Sequence, residues 1–208
     1  MIESGRLLMF DGPDGVGKTE QIGLIADSLR SDGHDIHLTR VHGGTPIGEL
    51  LRDVSLSSVP RTALTDLLIS QAIHAELAAD IAARRAAGTT CLVDRSPASM
   101  WSYQVCASGL SPEQAKPIIE SDFALFDPDL LLIYVARLDV LRSRLAGRPG
   151  SKRDYFEGQP DAYHQRVIDG YRQSAELFGG VLIDASGTKR DVFNLGIREV
   201  SKVMARKN

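Results

Sequence analysis

The chain has 208 residues, of which 43% are hydrophobic, and this is enough to bury a core and favours one α/β domain over two. Its 24 basic and 27 acidic side chains give a net charge of −3, which provides no extended positive field for holding a nucleic-acid polymer. No stretch approaches the roughly 20 apolar residues that a membrane span requires, so membrane insertion is not expected.

Apolar strands alternate with longer amphipathic helices along the chain. In the first helix, apolar residues recur from Ile22 to Leu29 at the i, i+3, i+4, i+7 spacing of one face. This alternation predicts a doubly wound α/β fold, with a five-stranded parallel sheet and helices on both faces. The predicted strands are 6–10, 36–39, 91–93, 130–135 and 181–183, and the predicted helices are 19–30, one from residue 46, 62–87, 112 to about 124, 139–146, 161–178 and 190–205.

Some helix ends can be located from their capping residues. Gly33 and Gly88 follow predicted helices and suit the left-handed conformation of a helix stop. Ser111, Pro112 and Gln114 combine an N-cap, a proline at the first helical position and a glutamine three residues after the cap. We therefore expect a helix to begin at Pro112.

The cysteines and the N-terminus favour the cytoplasm. Cys91 and Cys106 lie in apolar contexts without C-x-x-C or metal-ligand spacing, so we expect reduced thiols. The first ten residues contain one arginine and an apolar run that continues into a glycine-rich segment, unlike a signal peptide. We therefore predict a cytoplasmic protein.

The segment GPDGVGKT satisfies the pattern G-x-x-x-x-G-K-[ST] and lies between an apolar strand and an amphipathic helix. Its glycines allow backbone N–H groups to surround a triphosphate, and the helix N-terminus adds its positive end. Lys18 would reach the β- and γ-phosphates, and Thr19 would bind Mg²⁺. Together with the doubly wound sheet, this loop predicts a P-loop NTPase fold. The predicted ATP-binding residues of this loop are Gly12, Asp14, Gly15, Val16, Gly17, Lys18 and Thr19.

Asp94 and Arg95 directly follow the predicted strand 91–93. Because the carboxyl ends of parallel strands meet at one edge of a sheet, this pair should lie near the phosphate loop. Asp94 could hold Mg²⁺ or the acceptor, and Arg95 could neutralise a phosphate during transfer. We predict that Lys18, Asp94 and Arg95 are catalytic, and the alternative is an exposed Asp–Arg pair without a role.

Several segments resemble the thymidylate kinase family of nucleoside monophosphate kinases, over nearly the full chain. The segment FDGPDGVGKTEQ resembles the family's phosphate loop, including its acidic residue at Asp14. The segments TRVHGGTPIGELLR and DRSPASMWSYQ resemble its T-R-E-P-G-G-T-P-I-G-E-x-x-R and D-R-Y…A-Y-Q segments. Pro128-Asp129 and Tyr163-x-x-Arg166-Val167-x-x-x-Tyr171 are also similar to the family's. The resemblance implies a Mg²⁺-dependent kinase that phosphorylates dTMP with ATP and forms a homodimer.

The resemblance also implies roles for individual residues. Asp14 would bind the acceptor sugar, Arg40 and Arg95 would contact its phosphate, and Gln104 would lie near the base. Ser186 belongs to a segment that resembles the family's adenine-side loop. The acceptor-site residues implied in this way are Asp14, Arg40, Ile69, Ile73, His74, Arg95, Ser99, Met100, Tyr103 and Gln104.

The acceptor side departs from the family's pattern. Ile73 replaces an arginine that clamps the acceptor phosphate, Ile69 replaces an aromatic ring that stacks on thymine, and Met100 replaces a polar residue. Val41-His42 replaces the usual Glu-Pro, and His74 could partly substitute for the missing cation. We therefore expect weaker acceptor binding or a different acceptor.

A basic stretch lies between the predicted helices 139–146 and 161–178 and resembles a kinase lid at about residues 142–158. Closure of such a lid would exclude water and bring positive charge to the phosphates. We expect Arg142 to bind ATP and Arg148 and Arg153 to be catalytic, and the alternative is a solvated basic turn. The basic residues of the stretch are Arg142, Arg144, Arg148, Lys152 and Arg153.

Three functions fit these observations. The first is the transfer of a phosphoryl group from ATP to dTMP, and the second keeps the donor site but uses another or modified pyrimidine nucleotide. A variant of the second phosphorylates a deoxynucleoside 5′-hydroxyl, which requires a base such as Asp94 or Asp14. The third is a nucleotide-binding switch that acts on a partner protein without transferring phosphate.

Overall fold

The computed structural model describes residues 4–147 and 158–206, and strands alternate with helices as predicted. Its strands are β1 Leu7–Asp11, β2 Ile36–Arg40, β3 Thr90–Asp94, β4 Leu130–Val135 and β5 Val181–Asp184. Its helices are α1 Lys18–Ser31, α2 Pro46–Leu56, α3 Ala63–Ala86, α4 Ala98–Met100 with its π-helical continuation Trp101–Ala107, α5 Pro112–Phe126, α6 Leu138–Ala146, α7 Asp161–Phe178 and α8 Lys189–Met204.

The five strands form one parallel sheet in the order β2-β3-β1-β4-β5, with β1 at its centre. Successive side chains of a strand face opposite sides of the sheet. Leu7 and Met9 therefore pack in a cluster with residues of α3 and α7, whereas Leu8 and Phe10 pack in a second cluster with residues of α1 and α8. Helices cover both faces of the sheet, which confirms the predicted P-loop NTPase fold.

Helix α4 was not predicted, because its sequence contains Pro97 at its start and few strong helix formers. Tertiary packing compensates for this weak propensity. A Cβ atom added to Gly170 of α7 would lie only 2.7 Å from Ser102 Cα, so the missing side chain allows close approach of the two helices. Helix α5 begins at the predicted residue, but the Ser111 hydroxyl bonds to Glu113 instead of capping the helix.

The structure also gives the state of the two cysteines and the lengths of the helices. Cys91 and Cys106 are both free thiols, and burial raises the pKa of Cys91 to about 11. Across residues 4–147 and 158–206, no helix is at once long and apolar enough to cross a membrane.

The buried hydroxyl of Tyr134 leads us to predict that two substitutions together stabilise the protein. Tyr134 Oη in β4 is buried and has no hydrogen-bond partner within the described ranges, so Tyr134→Phe should raise the free energy of unfolding by about 1 kcal/mol. A Cβ atom on Gly196 of α8 would lie 2.8 Å from that hydroxyl. Gly196→Ala should therefore destabilise the wild-type protein, yet add about 0.5–1 kcal/mol of helix propensity in the Tyr134→Phe background.

Urea unfolding of the two single variants and the double variant tests this prediction. Additive effects of the two substitutions would show that the Tyr134 hydroxyl does not limit the space at Gly196.

Candidate active site

A cleft of about 740 Å³ opens at the carboxyl ends of the central strands. In parallel α/β sheets, ligands bind outside this edge, next to the loops that follow the strands. The central cleft is lined by Pro13, Asp14, Gly15, Val16, Gly17, Lys18, Thr19, Glu20, Gln21, Arg40, Val41, Arg52, Asp94, Arg95, Arg144, Gly187, Lys189 and Val192. Most of the predicted phosphate loop therefore forms one wall of the cleft.

The loop that follows β1 requires glycine at specific points. Gly12 has φ 145°, and a Cβ atom there would lie 2.3 Å from the carbonyl oxygen of Tyr134. Gly15 and Gly17 have φ values of 83° and 91°, in the left-handed region that favours glycine. Helix α1 begins directly afterwards at Lys18, so its unpaired N-terminal amides lie at the cleft. This arrangement suits binding of a polyphosphate.

Asp94, at the end of β3, contacts two side chains at the start of α1. Lys18 Nζ lies 3.2 Å from Asp94 Oδ1, and Thr19 Oγ1 donates to Asp94 Oδ2 at 2.7 Å. Burial raises the pKa of Asp94, but Lys18, the Thr19 hydroxyl and Arg95 outweigh burial and hold this pKa below its usual value. Asp94 is therefore a carboxylate at neutral pH, placed beside the phosphate loop.

Arg95 and Asp14 form a second charged pair in the cleft. Arg95 Nη2 donates to Asp14 Oδ1 at 2.5 Å, and Tyr103 Oη donates to Asp14 Oδ2 at 3.0 Å. Burial raises the pKa of Asp14, but Arg95, Lys18 and the Tyr103 hydroxyl together outweigh burial and lower it. Asp14 is thus ionised, and it holds the guanidinium of Arg95 at the wall of the cleft.

The oxygen atoms of Thr19 and Asp94 suit a hard cation. Among the residues that the structure describes, no group of three or more His, Cys, Asp or Glu side chains could hold a metal ion. Mg²⁺ commonly needs no such group, because it binds through one or two protein oxygens together with nucleotide phosphates and water. The donor set therefore fits Mg²⁺ that enters with a nucleotide.

Three positions at which the sequence departs from the family's pattern are buried or half-buried. Ile73 is 0% and Met100 1% exposed, and Ile69 is half-buried. His74 is also completely buried, and its Nδ1 lies 2.5 Å from Asp122 Oδ2, which joins α3 to α5. These residues are not among those that line the central cleft, and the substitution of His74 for a phosphate-binding cation stays a prediction.

The β2–α2 segment contributes two arginines. Arg40 lines the cleft, but its guanidinium forms an exposed ion pair with Glu49. Arg52 also lines the cleft, and its Nη1 donates to the carbonyl oxygen of His42 at 2.8 Å. Sequence reasoning assigned no role to Arg52, although it ends the segment TRVHGGTPIGELLR that resembles the family.

His42 lies beside these charges as a neutral side chain. Burial, followed by His74, Arg95 and Arg52, holds the pKa of His42 well below its usual value. Its Nε2 lies 3.1 Å from Ser70 Oγ. Position 42 therefore supplies a hydrogen-bonding group but no positive charge.

The remaining predicted acceptor residues lie on α4. Tyr103 contacts Asp14, as described above, and Gln104 is 7% exposed; neither is among the residues that line the central cleft. Ser99 Oγ lies 3.0 Å from Tyr171 Oη and 2.9 Å from the carboxylate of Asp11, so this hydroxyl is engaged within the protein.

On the donor side, Arg144 of α6 connects two loops. Its Nη1 donates to the carbonyl oxygen of Val16 at 3.1 Å, and its Nη2 donates to the carbonyl oxygen of Ala185 at 2.9 Å. The neighbouring Arg142 pairs instead with Asp161 of α7. The sequence analysis assigned ATP binding to Arg142, whereas Arg144 is the one that lines the central cleft. Both belong to one basic run without a spacing that distinguishes them.

Two other donor-side predictions have different outcomes. Ser186 is exposed in the loop after β5, where its backbone amide donates to Asp184. Arg148 and Arg153, the predicted catalytic residues of the lid, lie outside the described residues, as does Lys152.

Comparison with known proteins identifies related sequences. A family model for thymidylate kinase matches residues 10–195. A thymidylate kinase of Dichelobacter nodosus is 35% identical over 191 residues, covering 91% of this chain and 94% of the relative. A thymidylate kinase of Pseudomonas fluorescens is 33% identical over 188 residues, covering 88% and 89%. A thymidylate kinase of Caldanaerobacter subterraneus subsp. tengcongensis is 29% identical over 205 residues, covering 96% and 97%.

Proposed function

Because the chain belongs to the thymidylate kinase family, we propose that it transfers the γ-phosphoryl group of ATP to dTMP and releases ADP and dTDP. One observation carries this proposal most directly: the central cleft contains both the Lys18–Asp94 pair and the Arg95–Asp14 pair, each of which joins the phosphate loop to the end of β3. A site for a donor polyphosphate thus adjoins a cation for an acceptor phosphate.

The reaction needs positioning and charge stabilisation more than proton transfer. The attacking group would be a phosphate oxygen of dTMP, which is largely ionised at neutral pH because its second pKa is about 6. This oxygen would bond to the γ-phosphorus while the bond to the β–γ bridging oxygen breaks. Lys18 would stabilise charge on the β- and γ-phosphates, and Arg95 would bridge the transferring and acceptor phosphates.

Thr19 and Asp94 would hold Mg²⁺ through their hydroxyl and carboxylate oxygens. When bound, Mg²⁺ would neutralise part of the phosphate charge. Asp14 would orient the acceptor sugar, because its ionised carboxylate can accept a hydrogen bond from a hydroxyl group. Arg148 and Arg153 remain candidates for additional charge from a lid.

A substrate panel tests the function. Coupled ADP release should give the highest kcat/KM with dTMP, a lower value with dUMP and none with thymidine, because no base is assigned for a hydroxyl acceptor. Turnover of thymidine alone would reject the proposal in favour of a nucleoside kinase. ATP binding without transfer to any nucleotide would favour a nucleotide-binding switch instead.

We also propose that the protein is a homodimer. Exposed apolar side chains lie on the adjoining helices α2 and α3, including Leu50 at 65%, Val54 at 48% and Leu68 at 47% exposure. Such a surface is suited to burial against a second copy. Sedimentation velocity should give a dimer, which Leu50→Asp should dissociate, and a monomeric wild-type protein would contradict this proposal.

A cytoplasmic location is supported by the free thiols of Cys91 and Cys106. Fractionation of cells that express the protein should recover it in the cytoplasm, and recovery with an exported fraction would contradict this location.

A further inference from the structure

We propose that Asp11 is a positioning residue that fixes the orientation of Arg95 for phosphoryl transfer. The inference rests on the proposed kinase function, in which Arg95 would bind the transferring and acceptor phosphates. Asp11 is the last residue of β1, is completely buried and directly precedes the phosphate loop. Neither a metal ion nor a substrate is needed to explain its surroundings, which consist of donors from the protein.

The carboxylate of Asp11 accepts hydrogen bonds from three backbone amides and three hydroxyl groups. Oδ1 accepts from Gly12 N at 2.8 Å and from Tyr171 Oη at 2.9 Å. Oδ2 accepts from Ser96 N at 2.9 Å, Ser96 Oγ at 2.7 Å and Ser99 N at 3.1 Å. Ser99 Oγ lies 2.9 Å from both oxygens. These donors come from the phosphate loop, the segment after β3 and helix α7, so one side chain ties three parts of the fold together.

Arg95 lies between two anchored neighbours in a strained backbone conformation. Its φ of 77° is in the left-handed region, which is unfavourable for a residue with a side chain. Its own amide donates to the carbonyl oxygen of Phe10 at 2.7 Å, and the next residue, Ser96, binds Asp11 through both its amide and its hydroxyl. Such strain persists only where the surroundings impose it. Asp11 supplies that constraint on the C-terminal side of Arg95.

Asp11 also supports the side chain of Arg95 through Tyr171. The hydroxyl of Tyr171 donates to Asp11 Oδ1 and accepts from Arg95 Nη1 at 3.3 Å. Tyr171 is itself completely buried. The guanidinium is therefore directed towards Asp14 by a chain of hydrogen bonds that starts at Asp11. The backbone conformation and the side-chain orientation of Arg95 therefore both depend on the carboxylate of Asp11.

An asparagine cannot reproduce these contacts, although it has almost the same shape. Its amide nitrogen would replace either Oδ1, which faces Gly12 N, or Oδ2, which faces Ser96 N and Ser99 N. A backbone amide can only donate a hydrogen bond, so either orientation places two donors against each other. Asp11→Asn should therefore release Ser96 and allow Arg95 to leave the left-handed region.

Kinetic measurements on the full chain test the inference with dTMP and ATP. Asp11→Asn should lower kcat about 100-fold, as expected for a reacting group displaced by about 1 Å, while KM for ATP stays nearly unchanged. Tyr171→Phe removes one hydroxyl without changing the packing and should lower kcat in the same way by about 10-fold. If Asp11→Asn fails to fold, Tyr171→Phe alone decides the question.

Asp129 provides a matched control at the opposite end of β1. Its carboxylate accepts from Leu7 N at 2.8 Å and pairs with Arg6 and Arg85, so it supports the same strand away from the cleft. Asp129→Asn should lower Tm but leave kcat of the folded enzyme unchanged. If Asp11→Asn behaves like this control, or retains wild-type kcat, the inference is overturned.

A crystal structure of Asp11→Asn gives a readout that does not depend on the substrate. Arg95 should adopt a negative φ and lose its ion pair with Asp14, and retention of both features would overturn the inference. Lack of dTMP turnover by the wild-type enzyme would instead refute the proposed function. The conformation of Arg95 in the variant would still decide whether Asp11 fixes it.

Discussion

Lys18→Ala is expected to reduce kcat for dTMP phosphorylation by at least about 1,000-fold, because it removes a charge that stabilises the transferring phosphoryl group. Lys18 is only 7% exposed, and its ammonium lies 3.2 Å from Asp94. The substitution would also leave Asp94 without the cation that contributes most to lowering its pKa. ATP should therefore bind more weakly, and the pKa of Asp94 should rise.

Lys116→Ala is a suitable control for this experiment. Lys116 lies on α5 and forms an exposed pair with Glu120 at i, i+4 spacing, outside the residues that line the central cleft. Exposed pairs of this kind contribute about 0.3–0.5 kcal/mol, so its loss should change neither turnover nor folding appreciably. Stopped-flow ADP release and calorimetry with ATP should be compared for both variants. Wild-type turnover by Lys18→Ala would show that the loop does not act on the transferred phosphate.

Much of the fold was predictable because its elements have strong local patterns. The bounds of β4 and α7 were predicted to the residue, since one is a continuous apolar run and the other a long amphipathic helix. Helix α4 was missed because it depends on contact with α7 at Gly170, and the local sequence pattern contains no signal of this contact. Tertiary packing overrides weak propensity in this segment.

The site likewise contains residues that the local sequence predicts and residues whose contacts depend on the tertiary fold. Asp94 and Arg95 could be placed near the phosphate loop because they directly follow a strand of a parallel sheet. The contacts of Asp11 with Tyr171 join residues 160 positions apart, and sequence spacing carries no signal of them. For Ile73 and His74, the family resemblance indicated the acceptor site, but α3 buries both side chains against other parts of the protein.

Arg95→Ala should lower kcat/KM for dTMP by about 1,000-fold, because an arginine that stabilises a transferring phosphoryl group contributes about 10³–10⁵ in rate. Arg95→Lys provides a matched comparison, since it keeps the charge but cannot form the paired hydrogen bonds of a guanidinium. It should recover only a small part of the activity. Full activity in either variant, measured by coupled ADP release, would remove Arg95 from the mechanism.

Arg95→Ala should also change the pH dependence of kcat/KM, because it changes the pKa of Asp14. In the wild-type protein, burial raises the pKa of Asp14, and Arg95 is the largest influence that lowers it, so Asp14 stays ionised below the usual range of a carboxyl group. Without Arg95 the pKa rises, and Asp14 becomes protonated at a higher pH. The ratio of variant to wild-type kcat/KM should therefore fall as pH decreases from 7 towards 5.

Ionisation of dTMP affects both enzymes equally and cancels in this ratio. Arg95→Lys retains the positive charge and should give a flatter ratio than Arg95→Ala, whereas identical pH profiles for all three proteins would mean that Arg95 does not keep Asp14 ionised.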